Sequence, residues 1–319
     1  MYIPNEASDF LLELYNDAYT FKPDELRQRS LANLQRFISF DFAVWGGGWA
    51  DGRTVTDLVT LHQSSRVLEE WHDVADSDQF CDLTLSHLGT TARFDDIADY
   101  RQGVAYNEHW RRFNAAHMMA TIIPEKSDGY VSFVGLCADD RPKVFSENER
   151  DIAQVLMPHL SQALRMSRDL WTERVRTSHE AVALIDAAGG ILATQGPFQD
   201  FADAEWGIRL HRVPALAMNA LLSRGQWRGQ VMDARLSSFE ENYFMHVSIH
   251  PVLCRLSRRE RDVAELFASG MTSKQVAQHL GTSPATVRNQ IVSVYEKLEI
   301  SNKAALARLV GNGSTERRA

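Results

Sequence analysis

Between residues 256 and 312 the chain carries stop and start signals so closely spaced that only short helices fit between them. Ser257 followed by Glu260 is a capping box, in which each side chain satisfies an orphan amide of the other's turn. It predicts a first helix over 258–269 with Val263, Leu266 and Phe267 on one face, ended by Gly270 in a left-handed conformation. Thr272 or Ser273 caps a second helix carrying Val276, Ala277 and Leu280. Gly281, Thr282 and Ser283 form a tight turn, and Ser283 then caps a third helix with Pro284 at its first position, where a missing N–H costs nothing. Ser301 is expected to cap a fourth helix over 302–310 with Ala305, Leu306 and Leu309 apolar.

The third helix carries most of the functional information. Val287, Ile291, Val294 and Leu298 fall at i, i+4, i+7 and i+11, a single stripe for burial. Arg288, Asn289, Val292 and Glu296 lie opposite, with Gln290 to one side. A helix, a Gly-containing turn and a helix with Arg, Asn and Gln near its N-terminus suit insertion into a DNA major groove. Arg pairs bidentately with guanine, Asn or Gln pairs with adenine, and Val292 offers apolar contact to a thymine methyl. Thr272, Lys274, Ser283 and Thr286 are placed to meet phosphates near helix N-termini. Charge agrees with this division. From Arg255 onward eleven Lys/Arg face six Asp/Glu, a net of +5, while the remainder carries −13 of the overall −8. Polyanion contact is therefore expected only in the tail.

The order of residues in this segment, Leu256-Ser-Arg-Arg-Glu-Arg-Asp-Val263, Gly270-Met-Thr-Ser-Lys-Gln-Val-Ala277, Ser283-Pro-Ala-Thr-Val-Arg288 and Lys297-Leu-Glu-Ile-Ser301, resembles the LuxR-type helix-turn-helix without a gap. The resemblance implies a four-helix domain whose third helix enters the major groove and whose fourth often pairs two copies on a palindromic site. It places Arg288 at the family's basic position after Thr-Val, and Lys297 and Lys303 where basic residues near the DNA backbone are common. Many members have His where this chain has Gln290, so a typical member's DNA preference does not transfer.

The rest of the chain reads as two α+β sensor units, making the fold class multidomain: 1–178, 179–252, and an all-α unit at 253–319. Apolar spacing predicts an opening helix around Phe10 to Tyr15 and a second over 26–38. Strands are expected over 40–49 and 55–62, joined at Asp51-Gly52, and over 118–124 and 129–138, with helical stretches at 65–74 and 107–116. Ser146 and Glu149 form a capping box that opens a helix of about thirty residues with Pro158 inside it. Its apolar stripe is expected to pair with a symmetry mate. This pattern resembles a GAF-like sensor. Residues 179–252 read as strand, turn at Gly189-Gly190, strand, helices including 213–223, and strands over 229–236 and 242–251, an abbreviated PAS-like pattern.

Other chemistries find little support. Gly46-Gly47-Gly48 lacks the Gly-Lys-Ser/Thr ending and following helix of a phosphate loop and reads as a bend or bulge. No nucleophile elbow or His-Glu-x-x-His run appears, so no catalytic residue, metal site or cofactor is expected. His109 and His117 have no obvious partner. Three cysteines at wide spacing fit a reducing compartment, and Cys137 falls in an expected core strand. An acidic N-terminus without a basic region and the lack of a long apolar run predict a cytoplasmic protein with no membrane contact. Trp45, Trp49, Trp71, Trp110 and Phe113 are candidate walls of a pocket for an apolar signal. The LuxR family also contains acyl-homoserine-lactone receptors, but the extra segment 179–252 and the spacing of tryptophans and acids argue against that assignment. The expectation is a homodimeric transcription regulator of double-stranded DNA, controlled by a small-molecule effector. A constitutive regulator whose body only dimerises or binds a protein, and an enzyme fused to a DNA-binding tail, are the alternatives.

Overall fold

The computed structural model describes residues 5–125, 129–139, 144–177, 180–229, 231–249, 256–298 and 300–311. Helices α1 (Asn5–Thr20) and α2 (Pro23–Leu34) precede the hairpin β1 (Phe42–Trp49) and β2 (Thr54–Leu61). Short helices α3 (Arg66–Glu69), α4 (Gln79–Ser86) and α5 (Val104–Glu108) surround β3 (Thr91–Arg93), and β4 (His117–Pro124) and β5 (Tyr130–Ala138) lead to the long α6 (Glu147–Val175). The antiparallel sheet has the order β2-β1-β5-β4-β3. Period two splits β1 between two cores. Ala43 and Trp45 face α1, α2 and α6 with Phe10, Leu26 and Leu156, while Phe42 and Val44 face α3–α5 with Trp71, Phe94 and Trp110. Both faces are covered, so β1 reads as an almost continuous buried run.

The three consecutive glycines are part of β1, with a bulge between Gly47 and Gly48. A Cβ on Gly46 would meet Phe133 at 2.6 Å, and one on Gly48 would meet the Thr54 carbonyl at 1.9 Å, so close backbone approach requires glycine.

A second antiparallel sheet repeats the order. Strands β6 (Ala181–Ile185) and β7 (Ile191–Gln195) are followed by α7 (Phe198–Trp206), α8 (Ala215–Arg224), β8 (Gln226–Arg228), β9 (Met232–Phe239) and β10 (Asn242–Ile249), ordered β7-β6-β10-β9-β8. One face packs Phe198, Ala202, Met218 and Leu221 of α7 and α8 on Ala183, Met232 and Met245. The other face, Val182, Leu184, Phe239 and Phe244, is covered by Trp171 and Val175 from the end of α6. The apolar stripe of α6 is thus consumed inside the chain, first on one sheet and then on the next. It is not left free for the symmetry mate that the sequence suggested.

A buried ionic hub marks the seam between the sheets. Asp57 accepts both terminal nitrogens of Arg27 at 2.9 Å and also accepts Arg168 of α6. The Asn242 side chain of the second sheet lies close enough to Asp57 to favour its ionised form as well. Burial works against ionisation of Asp57, but the two guanidiniums outweigh it and hold its carboxyl below the usual carboxylate range.

Four helices close the chain: α9 (Arg258–Ala268), α10 (Ser273–His279), α11 (Pro284–Leu298) and α12 (Lys303–Gly311). Several boundaries differ from expectation. The second helix ends at Leu34 rather than near residue 38. The stretch 107–116 is α5 plus a separate 3-10 turn, Trp110–Phe113, with Asn114 in the left-handed region. The strand expected over 229–236 begins only at Met232, as β9, and runs on to Phe239, with the short β8 before it. Asn302, not Ser301, caps α12, its Oδ1 accepting the Ala305 amide at 2.8 Å. The end of the strand expected over 242–251 lies outside the described residues.

Candidate nucleic-acid interface

The helix-turn-helix is built by its caps. Ser257–Glu260 and Thr272–Gln275 both form reciprocal capping boxes, and Ser283 Oγ accepts the Thr286 amide at 3.1 Å to open α11. Gly270 and Gly281 take positive φ, +109° and +62°, at the ends of the first two helices. Val287, Ile291, Val294 and Leu298 are buried against Val263, Ala264, Val276 and Ala277. That burial fixes the opposite face of α11 outward.

Arg288, Asn289 and Val292 are all exposed on that face, and Val292 retains 56% of its surface. Gln290 stands apart. It is half-buried, and its Oε1 is shielded from solvent without a hydrogen-bond partner, so it points toward the bundle. Thr272, Lys274, Ser283 and Thr286 are all exposed, with Ser283 Oγ and Thr286 Oγ1 2.8 Å apart.

Lys297 and Lys303 both have partners inside the helical unit. Lys297 Nζ lies 2.6 Å from Glu260 Oε2. Glu260 also accepts from Ser293 Oγ at 2.7 Å and from Ser257 N and Oγ at 2.8 Å. Burial disfavours the charged carboxylate, but these donors outweigh it and hold its pKa at about 2. Lys303 donates to the Met271 carbonyl at 2.9 Å and sits 4.3 Å over the Phe267 ring. The first lysine ties α11 to the start of α9, and the second ties α12 to the loop before α10. Sequence reasoning missed both ties, although Glu260 was already visible in its capping box.

The unit is docked on the second sheet's helices. Arg261 donates to the Ala204 carbonyl at 2.8 Å, and the Arg258 guanidinium lies where a Cβ on Gly207 would come within 2.0 Å. Two cations therefore sit at the C-terminus of α7, where they complement the helix dipole.

The aromatic residues do not form one pocket. Trp45 is buried beneath α1, α2 and α6. Trp49 lies at the hairpin end between Tyr130 and the Arg212 guanidinium, which is 4.3 Å from its ring centroid. Trp71 and Trp110 do converge, and what brings them together is Asp78, which the sequence did not single out. Asp78 Oδ2 accepts both indole nitrogens, at 2.8 and 3.0 Å, while Oδ1 accepts Tyr100 Oη at 2.7 Å and the Phe80 amide at 3.0 Å. An otherwise apolar cavity of about 80 Å³ adjoins this carboxylate, walled by Phe80, Met118 and Phe133. Phe113 is not one of its walls; its ring centroid lies 5.0 Å from that of His109, the two planes tilted by 46°. Burial pushes the Cys81 thiol in the same wall up to about 12 and raises that of Cys137 too, which leaves neither a ready nucleophile. His109 and His117 both have partners, the Val67 carbonyl at 2.8 Å and Asp95 at 3.2 Å. Among the described residues, no cluster of three or more His, Cys, Asp or Glu is arranged to hold a metal, and no helix is long and apolar enough to cross a membrane.

The profile of "Bacterial regulatory proteins, luxR family" matches residues 255–310. The transcriptional regulatory protein UhpA of Escherichia coli strain K12 is 47% identical over 58 residues, 18% of this chain and 30% of that protein. The matched region therefore spans under a third of that relative's length. The spore germination protein GerE of Bacillus subtilis is 37% identical over 62 residues, 19% of this chain and 84% of that protein. A solved structure of Escherichia coli SdiA aligns over 96% of this chain and 98% of that one, at 13% identity and a TM-score of 0.40. At that score the reading of the two sheets rests on their own geometry.

Proposed function

From the premise that this chain belongs to the luxR family of bacterial regulatory proteins, we propose that it regulates transcription by reading a specific DNA sequence with α11. The observation that carries this reading is the exposed Arg288–Asn289–Val292 face, held outward by a fully buried stripe on a capped helix. Arg288 reads a guanine, Asn289 an adenine and Val292 a thymine methyl, while Thr272, Lys274, Ser283 and Thr286 grip phosphates. Two copies bind half-sites about one DNA turn apart, as palindromic readers of this architecture do. Since the stripe of α6 is internal, the pairing surface is assigned to α12. Light scattering that finds only monomers on operator DNA would contradict the dimer.

Control is assigned to the first sheet. The Asp78 cavity pairs apolar walls with one buried carboxylate, the makeup of a site for a small apolar molecule bearing a polar group. At about 80 Å³ it lies well below ordinary ligand pockets, so entry requires Trp71, Trp110 or Phe133 to move. That small volume also favours a second reading, a constitutive regulator. Thermal unfolding against apolar and amphiphilic compounds separates the two: a ligand raises the melting temperature by mass action, and Asp78→Asn abolishes the rise.

Anisotropy titrations test the DNA reading. Arg288→Ala is expected to cost about 1–3 kcal/mol at the preferred site and to relax one base pair. Lys274→Ala weakens all sequences alike and flattens the salt slope by about one. Unchanged affinity of Arg288→Ala for its best site would remove Arg288 as a reader.

A further inference from the structure

The two sheet units meet over more carboxylates than cations. Arg27 binds Asp24 and Asp57, both in the first unit, and Arg168 shares Asp57. The second unit sets two more acids against these: Asp186 in the turn after β6 lies near Asp57, and Glu240 in the turn after β9 lies near Asp24. Four carboxylates therefore face two guanidiniums, with the exposed Lys22 beside Glu240 at the rim. We infer that this seam is a proton-held clasp, closed while Asp186 and Glu240 carry protons and loosened when rising pH removes them.

The geometry at both acids suits a neutral carboxyl. Asp186 is fully buried; its Oδ1 accepts the Ala188 and Gly190 amides at 2.9 and 2.7 Å, while its Oδ2 has no partner of normal geometry. The Thr56 hydroxyl is close by, with the Tyr130 hydroxyl next to it. A proton on Oδ2 supplies a donor to Thr56 and leaves Asp57 as the one charged acid at that point. Glu240 stands at φ +53°, a left-handed conformation that a glutamate adopts at a cost. Its Oε2 reaches across the seam to accept the Asp24 amide in the first turn of α2, at 3.3 Å. Burial, reinforced by Asp57 for one acid and Asp24 for the other, raises both above their ordinary values, Glu240 to about 7. Acids raised in this way stabilise fully at low pH, and that contribution is lost as pH rises through their folded values. Both guanidiniums are already committed to Asp24 and Asp57, so each proton lost sets one negative charge beside another. Because α9 docks on the second unit, the proton load of the seam sets how firmly the DNA-reading unit is joined to the sheet that holds the Asp78 cavity.

Hydrogen exchange of the full chain at about pH 5 and about pH 8.5, with times scaled to the intrinsic amide rates, tests this. Peptides spanning residues 186–190 and 239–243 are expected to lose protection by about tenfold or more at the higher pH. Glu240→Gln and Asp186→Asn keep an acceptor oxygen and cannot ionise. Each is expected to recover part of that protection, and the double variant nearly all of it. Both spare the Asp57 hub, and if Asp186→Asn does not fold, Glu240→Gln decides alone. Equal protection of the parent chain at both pH values, or a loss in Glu240→Gln as large as the parent's, overturns the clasp.

Discussion

The first sheet is covered on both faces by helices of its own unit, whereas the second covers one face with α7 and α8 and takes its other cover from the end of α6. The strand order is the same in both. What differs is where the covering helix comes from, and the consequence is mechanical: the second sheet is complete only when α6 is in place. A displacement of α6 in the first unit is felt directly at Phe239 and Phe244 in the second, whose helix α7 carries Arg258 and Arg261 of the DNA-reading unit. Coupling therefore has a contiguous physical route through packed side chains.

The largest expected effect comes from Asp57→Ala, which leaves Arg27 and Arg168 buried without their shared carboxylate. A loss of about 3–5 kcal/mol is expected. Tryptophan fluorescence and circular dichroism should follow one common denaturant transition, because both sheets depend on the hub. Two separated transitions would break the claim that the sheets form one cooperative body. Trp171→Ala asks the same of the apolar seam. The indole lies 5.7 Å from the Phe239 ring, tilted against it, and donates to the Phe21 carbonyl at 2.9 Å. Half-burial places the cost at about 2–3 kcal/mol, below that of a fully buried tryptophan. A loss smaller than about 1 kcal/mol in urea melts would mean that the second sheet needs α6 far less than the first does.

Two glutamates sharpen the comparison through opposite pH signs. Glu260 in the helical unit has its pKa lowered from 4.5 to about 2, so its contribution is full above pH 4.5 and lost as pH falls through 2. Glu260→Gln is expected to cost about 1–2 kcal/mol at pH 7, discounted because Lys297 is half exposed, and to flatten the acid limb of the stability curve. Glu240 at the sheet seam behaves the other way. Burial, reinforced by the Asp24 carboxylate, raises it from 4.5 to about 7. Its contribution is full below pH 4.5 and lost as pH rises through 7. Glu240→Gln should therefore stabilise the chain modestly at pH 8 and leave it unchanged at pH 4. Melting temperatures across that range check both, and a Glu240→Gln effect largest at pH 4 would refute the assignment.

The helical unit was legible because its information is local. Ser257, Thr272, Ser283 and Pro284 each act on residues three or four positions away, and the stripe from Val287 to Leu298 needs no tertiary knowledge. Even there, adjacent Ser301 and Asn302 are equivalent as caps in sequence, and only the path of the chain selects Asn302. The sheets were legible as strands and turns, but periodicity says that α6 is buried without saying against what. Trp71 and Trp110 were visible as aromatic residues, yet the carboxylate that joins them looks like any surface acid in sequence. The hub of Arg27, Asp57 and Arg168 draws on α2, β2 and α6, far apart in the chain, and no local spacing announces it.

The most direct test of the central claim is sequencing of genomic fragments retained by the full chain at two salt concentrations, alongside Arg288→Ala. The account predicts one palindromic motif, with half-sites about one DNA turn apart, that survives the higher salt and disappears in the variant. Fragments retained without a common motif, or the same motif recovered with Arg288→Ala, would contradict it.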